Sequence, residues 1–346
     1  MTDRRLICNL WHIKQTNGLY YYALDYVRAI GAPNVVYVRA TLFEAARDAL
    51  KGHDVRCASA AAMFRVLSVA LLQRRYIFTP TPHPLPLHRH QIVVVHDDYP
   101  FLGKSGRIKR LLFRVGLQSS DCEIGHINRT TSLDSLQRVP IRTTRLRYMP
   151  NSAPDSNVAA ALRAQRAATF AGGRAALEPL RVALFGSDSP KKRYEALFSA
   201  SRALRRRPVQ FEVYGHATKY LRDLQATFPD MDIRLASSSE IDVSTFLKSI
   251  HAVVSVAEHE GFGRLIALAL AAGIPCFLLK SPVFTEFYGR STPLHADIAE
   301  LVHALDRCES GDASQRGFEE QADIADAFDT ASRHLHALAR MGTRTS

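Results

Sequence analysis

The stretch AEHEGFGRLIALALAAGIP, residues 257–275, decides how the chain reads. AVVSVA (252–257) has the pattern of a short buried strand, and an apolar helical run follows to Ala272 before Gly273 and Pro275 stop it. Between them stand Glu258, Glu260 and the glycines Gly261 and Gly263. A strand passing into a helix through glycines presents backbone N–H groups at the carboxyl edge of a parallel sheet, where α/β proteins hold ligands. Phosphate suits those N–H groups, whereas a carboxylate beside them repels phosphate and suits hydroxyls. Sugar hydroxyls next to a diphosphate satisfy both. A glycine-rich turn capped by glutamate is the plain structural alternative.

The surrounding sequence repeats the strand-then-helix rhythm. RVALFG (181–186), PVQFEVYG (208–215), DIRLAS and PCFLLK read as strands separated by helical stretches. In the first half RRLICNL, NVVYVRA, RRYIFTP, QIVVVHD (91–97) and DCEIGH (121–126) read as strands, with NGLYYYALDYVRAIG a helix. Short apolar strands alternating with helices predict parallel sheets covered on both faces. Residues 156–175 lack strands and are rich in Ala and Gly, which places a linker there. The expected domains are 1–155 and 176–324, with a helix at about 325–346 packing back on the first. No internal repeat is visible.

A length of 346 residues agrees with two domains. Five scattered cysteines without C-x-x-C spacing read as reduced thiols, and the N-terminus lacks a secretory layout, so the expected location is cytoplasmic. The net charge of +12 lies in the first 150 residues, where Lys and Arg outnumber Asp and Glu by 22 to 10; the remainder balances at 23 to 23. Such asymmetry points to an anionic partner or to a solubilising surface.

The motif closely resembles the signature of the family-4 retaining glycosyltransferases of GT-B fold. There, E-G-F-G leads an apolar helix ending in A-x-G-x-P, matched here by Glu260-Gly261-Phe262-Gly263 and Ala271 to Pro275. KSPVFTEFYG (280–289) with Glu286, RYMPNSAPD (147–155) and VVVHDDYPF (93–101) extend the resemblance over most of the chain. It implies two Rossmann-like doubly wound domains facing across a cleft, the first for acceptor and the second for donor. The activity implied is metal-independent transfer of a sugar from a nucleotide sugar, with no cofactor, to a glycan or lipid-linked acceptor in surface polysaccharide or lipopolysaccharide assembly.

The resemblance also distributes roles. His96 and Glu260 orient the donor sugar, and Lys192, with Lys191 beside it, grips the diphosphate. The donor cradle further comprises Gly18, Gly186, Gly261, Phe262 and Gly263, with Asp97 either orienting His96 or opening the next turn; Arg264, one turn into the helix, either supplies a charge to the diphosphate or is a solvated arginine. Two positions depart from the family. Ser187 stands where an arginine usually follows the glycine, and Leu268 replaces the glutamate that binds the donor ribose. These departures keep a non-catalytic nucleotide-sugar-binding protein in view, beside a sugar-nucleotide epimerase on the same fold.

GKSGRIKRLLFRVGLQ (103–118) places Ile108, Leu111, Leu112 and Val115 on one helical face, flanked by Arg107, Arg110 and Arg114. Such a helix either packs that face into a core or lies on an anionic bilayer, which would put the protein on the inner face of the plasma membrane. The absence of basic-aromatic interleaving argues against nucleic acid. Asp230-Met231-Asp232 spells D-x-D but precedes a strand and reads as a surface loop, not a metal site.

Overall fold

The computed structural model of the chain describes residues 6–31, 34–96, 106–120, 122–137, 145–171, 179–308 and 317–341. The chain divides into two compact units, one of residues 1–152 and 323–346, the other of residues 153–322.

In the first unit the elements run β1 (Ile7–Asn9), α1 (Gly18–Ile30), β2 (Val35–Val38), α2 (Phe43–Ala49), β3 (Asp54–Cys57), α3 (Ala60–Leu72), β4 (Ile77–Thr79), β5 (Gln91–Val95), α4 (Gly106–Ser120), β6 (Glu123–His126), α5 (Thr131–Gln137) and β7 (Leu146–Tyr148). Among the described residues they form a seven-stranded sheet of order β3-β2-β1-β4-β5-β6-β7, parallel throughout. Alternate residues of each strand serve opposite faces. Cys8, Val36, Phe78 and Val94 pack with α1 and α2 on one face. Ile7, Val35 and Ile77 pack with α3, and Val93, Val95 and Ile124 with α4, on the other. Within α1 the buried hydroxyls of Tyr22 and Tyr26 donate to the carbonyls of Met149 and Pro150, so burying the phenols leaves no polar atom unsatisfied.

The second unit comprises α6 (Ser156–Phe170), β8 (Leu180–Phe185), α7 (Tyr194–Leu204), β9 (Val209–Gly215), α8 (Lys219–Thr227), β10 (Asp232–Ser237), α9 (Val243–Leu247), β11 (Ala252–Ser255), α10 (Arg264–Ala271), β12 (Cys276–Leu279), α11 (Pro282–Tyr288), β13 (Leu294–His295) and α12 (Ile298–Asp306). Among the described residues its parallel sheet has six strands, in the order β10-β9-β8-β11-β12-β13. The long α13 (Gln321–Met341) contributes Ala331, Leu335 and Leu338 to the core of the first unit.

The stretch expected as a linker holds α6, which clusters with the second unit. Alanine-rich sequence without strands is also good helix sequence, and two arginines anchor it. Arg163 donates to the Ala271 carbonyl at the end of α10 at 2.7 Å, and the buried Arg166 donates to the carbonyls of Leu247 and Ile250. The five cysteines are free thiols. No helix among the described residues is long and apolar enough to cross a membrane.

Candidate functional site

In both sheets the strand order reverses at one place, between β1 and β4 in the first unit and between β8 and β11 in the second. Loops leaving two such neighbouring strands diverge to opposite faces and open a crevice at the carboxyl edge.

In the second unit that crevice is lined by the loops after β8 and β11. Phe185 passes into Gly186, whose φ of +87° favours glycine. A Cβ at Gly186 would lie 3.1 Å from Lys192 Cε, so the bare backbone makes room for the lysine stem. A short turn at 190–192, capped by Ser189, then delivers Lys191 and Lys192. The buried Tyr194 hydroxyl donates to the carbonyls of Phe185 and Gly186 and fixes the loop's start.

From the other side, Glu260 meets this loop. Lys192 Nζ and Glu260 Oε2 are 2.9 Å apart, with side chains only 14% and 19% exposed. A second pair, Arg193 with Glu258 at 2.7 Å, ties the same two loops farther out. Burial alone would raise the Glu260 carboxyl; the Lys192 ammonium and its hydrogen bond, the Lys191 charge and the Gly261 N–H outweigh it, and its pKa lies below the usual carboxylate value.

The turn into α10 differs in detail from expectation. The helix starts at Arg264 with Gly263 as N-cap at φ +86°. A Cβ at Gly263 would sit 3.1 Å from Ile266 Cδ1, which rules out larger residues without strain. Gly261 directs its N–H at Glu260 and not outward. Phe262 is buried against Phe287 and Tyr288, so it packs the turn from beneath and does not line the crevice. Tyr288, which sequence reasoning missed, donates its buried hydroxyl to the Phe262 and Gly263 carbonyls. Arg264 and Leu268 lie half-buried one turn apart on α10.

Ser187, expected in the donor cradle, is committed elsewhere. Its hydroxyl donates to the His216 carbonyl at 2.6 Å and accepts from the His216 N–H at 2.9 Å. The residue is buried against Gly215 and staples the loops after β8 and β9. Asp230 and Asp232 of the D-x-D sequence are each paired with an arginine, Arg202 and Arg234.

At the reversal point of the first unit, His96 Nε2 lies 3.0 Å from the Pro80 carbonyl, and its ring meets Tyr22 edge-on at 4.5 Å. A carbonyl only accepts, so Nε2 carries the proton and Nδ1 is left as an acceptor. Burial pushes the pKa of His96 down to about 4, which keeps it neutral. Gly18 opens α1 after a loop of several residues, with Asn17 as N-cap, and a Cβ there would meet nothing within 4 Å. Its glycine is therefore not required by a tight turn. Asp97 lies outside the described residues. The same edge holds a group that the sequence did not signal: His12 stacks on His83 at 3.9 Å, and Arg39 sits 4.0 Å over Trp11.

No protein-family model matches the chain, and no curated protein matches it. Solved structures do. HepE from Anabaena, in a complex with UDP and glucose, is similar at 16% identity and a TM-score of 0.68, over 98% of this chain and 99% of that one. WaaG, a glycosyltransferase involved in lipopolysaccharide biosynthesis, is similar at 15% identity and a TM-score of 0.66, over 97% and 98%. The sucrose-phosphate synthase of Thermosynechococcus elongatus is similar at 14% identity and a TM-score of 0.60, over 99% and 98%. The chain thus has the GT-B fold of these glycosyltransferases.

Proposed function

We propose that the protein is a retaining glycosyltransferase that moves a sugar from a nucleotide sugar to a glycan or lipid-linked acceptor in surface polysaccharide assembly, working at the inner face of the plasma membrane. The observation that carries this reading is the largely shielded Lys192–Glu260 pair at the strand reversal beside α10. It joins a cation suited to diphosphate and a carboxylate suited to sugar hydroxyls within one hydrogen bond, in a fold whose solved relatives include UDP and UDP-glucose complexes.

In this reading the second unit holds the donor. Lys192, Lys191 and Arg264 neutralise charge on the departing diphosphate, the largest service a protein can give such a reaction. Glu260 accepts from sugar hydroxyls, and the neutral His96 offers Nδ1 to another. The acceptor attacks on the face from which the diphosphate leaves, and the diphosphate takes the acceptor's proton. The C–O bond to the diphosphate breaks as the new glycosidic bond forms, so positioning does the rest.

The test is thermal stabilisation of the whole chain by uridine, guanosine, thymidine and cytidine diphosphate sugars. A donor binds the folded state and raises the melting temperature, by an amount that Lys192→Ala and Glu260→Ala reduce. A folded protein stabilised by none of them would refute the donor site. Stabilisation with turnover of the nucleotide sugar in the absence of acceptor would favour the epimerase.

A further inference from the structure

The carboxyl edge of the first unit carries four polar side chains that the proposed transfer leaves unused. They are His12 after β1, Arg39 after β2, His83 after β4 and Lys109 on α4. The rings of His12 and His83 face each other 3.9 Å apart, with 2° between their planes.

Contacts on both sides hold the pair in place. The Trp11 indole N–H donates to the Ala58 carbonyl at 2.9 Å. Arg39 Nε donates to the Trp11 carbonyl at 2.8 Å, with its guanidinium over the indole ring, and the Trp11 ring meets His12 edge-on at 5.4 Å. On the other side Thr81 Oγ1 and His83 Nδ1 are 3.0 Å apart. Pro84 seats this loop on α4, since a Cβ at Gly116 would meet it at 2.7 Å.

The cluster so held is open to a ligand. His83 is exposed and His12 half-buried. The Thr81 contact takes Nδ1 of His83 and leaves Nε2, and the His12 ring has no hydrogen-bond partner among the described residues. Arg39 spends Nε on Trp11 and keeps its two Nη groups. Polar groups fixed in place without partners are those that a ligand satisfies.

Charge and geometry choose the ligand. Burial holds the pKa of both rings below the usual histidine value, helped at His12 by His83 and Arg39 and at His83 by Lys109; that of His12 lies at about 3. The rings are therefore neutral, each with one N–H to donate, and the charges acting on them are cations. A single metal ion does not fit, because the in-plane lone pairs of parallel rings do not converge. Nor do the described residues include a group of three His, Cys, Asp or Glu that could hold one. Arg39 covers Trp11, so the indole is no platform for a sugar ring. Phosphate carries close to two negative charges and oxygens that point in several directions. It matches cations and N–H donors arriving from three loops and a helix.

We propose that His12, Arg39, His83 and Lys109 form a phosphate-binding pocket, and that the phosphate belongs to the acceptor. The pocket stands on its own geometry, whereas its assignment to an acceptor rests on the proposed function.

The experiment is titration calorimetry of the full chain at neutral pH with glycerol 3-phosphate, glycerate and glycerol, which share a skeleton and differ in charge. One site per chain is expected for glycerol 3-phosphate, with glycerate roughly tenfold weaker and glycerol silent. Arg39→Gln and Lys109→Gln are each expected to weaken phosphate binding by roughly tenfold. His12→Phe/His83→Phe keeps two stacked rings, removes the nitrogens and is expected to abolish it. Melting curves show whether that pair keeps its fold; His83→Phe alone, at an exposed position, gives the same reading if it does not. Glucose 6-phosphate and a short-chain phosphatidic acid, titrated beside them, separate a phosphorylated glycan from a lipid phosphate as the source. No binding of glycerol 3-phosphate, equal binding of glycerate, or binding that none of these variants alters overturns the pocket. So does binding that is lost in Lys192→Ala and kept in Arg39→Gln, which would assign the phosphate to the donor site. Failure of every nucleotide sugar to stabilise the chain, with phosphate binding intact, removes the proposed transferase and leaves the pocket standing.

Discussion

Lys192 and Glu260 neutralise each other at 2.9 Å across two adjacent strand ends, each mostly shielded from water. Breaking such a pair strands a largely shielded charge. Lys192→Ala is therefore expected to destabilise the protein by about 3 kcal/mol. In the double variant Lys192→Met/Glu260→Leu no charge is left stranded, and much of that loss returns. Denaturant unfolding measures both. Donor-induced stabilisation is expected to be reduced in both, which separates the pair's structural role from the proposed role in binding.

The same pair sets an acid limit. The Glu260 pKa is depressed in the folded state, so in the window just below the usual carboxylate value the unfolded chain binds more protons than the folded one. Its contribution to stability is complete above that window and drains away as pH falls through the folded pKa. Glu260→Gln is expected to show a shallower loss of stability in acid, measured by denaturation at a series of pH values.

His96 acts in the same direction over a higher range. Its ring is neutral in the fold down to about pH 4, whereas in the unfolded chain it protonates near 6.5. Stability contributed by the neutral ring is complete above 6.5 and falls by up to about 3 kcal/mol on the way to pH 4. Replacing His96 by Phe removes that slope, and comparing the pH profiles of parent and variant reads it directly.

In the proposed function an arginine at the position of Ser187 would be a second anchor for diphosphate, yet the surroundings of Ser187 are closed. Gly215 and the His216 backbone occupy its side-chain space. Ser187→Arg is expected to cost about 1–3 kcal/mol through overpacking and to add nothing to donor affinity. Titration calorimetry with the best donor, beside a melting curve, decides the point.

The turn at Gly263 offers a fifth check. Gly263→Ala forces an alanine into left-handed backbone against Ile266, at a cost of about 1–2 kcal/mol. Tyr288→Phe deprives two buried carbonyls of their shared donor and costs about 1 kcal/mol. Both changes move the start of α10 and are expected to weaken donor binding along with stability.

Most strands were legible because a buried parallel strand is a short apolar run between turn residues. RVALFG, PVQFEVYG, AVVSVA and PCFLLK all coincide with strands of the second sheet. The half-exposed β3 and the two-residue β13 were not, since neither has an apolar run. The E-G-F-G turn was legible as a strand-to-helix junction because glycine at positive φ leaves a trace in sequence. What that turn does with each residue was not: Phe262 went under the turn, Gly261 toward Glu260, and Tyr288 arrived from α11 to hold the carbonyls.

By itself the sequence determined the two-sheet α/β plan, the glycine turns and the basic first half, because strand periodicity, backbone freedom and charge are local properties. Only the tertiary structure decided which charges meet and which faces stay open. Lys192 and Glu260 are far apart along the chain and become partners because β8 and β11 are neighbours in the sheet. The stripe of Ile108, Leu111, Leu112 and Val115 has the spacing of a core face, and it stays outside because Phe113 and Leu117 already fill the contact with β5 and β6. Pairing and burial are competitions between distant segments, and their outcome is fixed only once the sheet order brings those segments together.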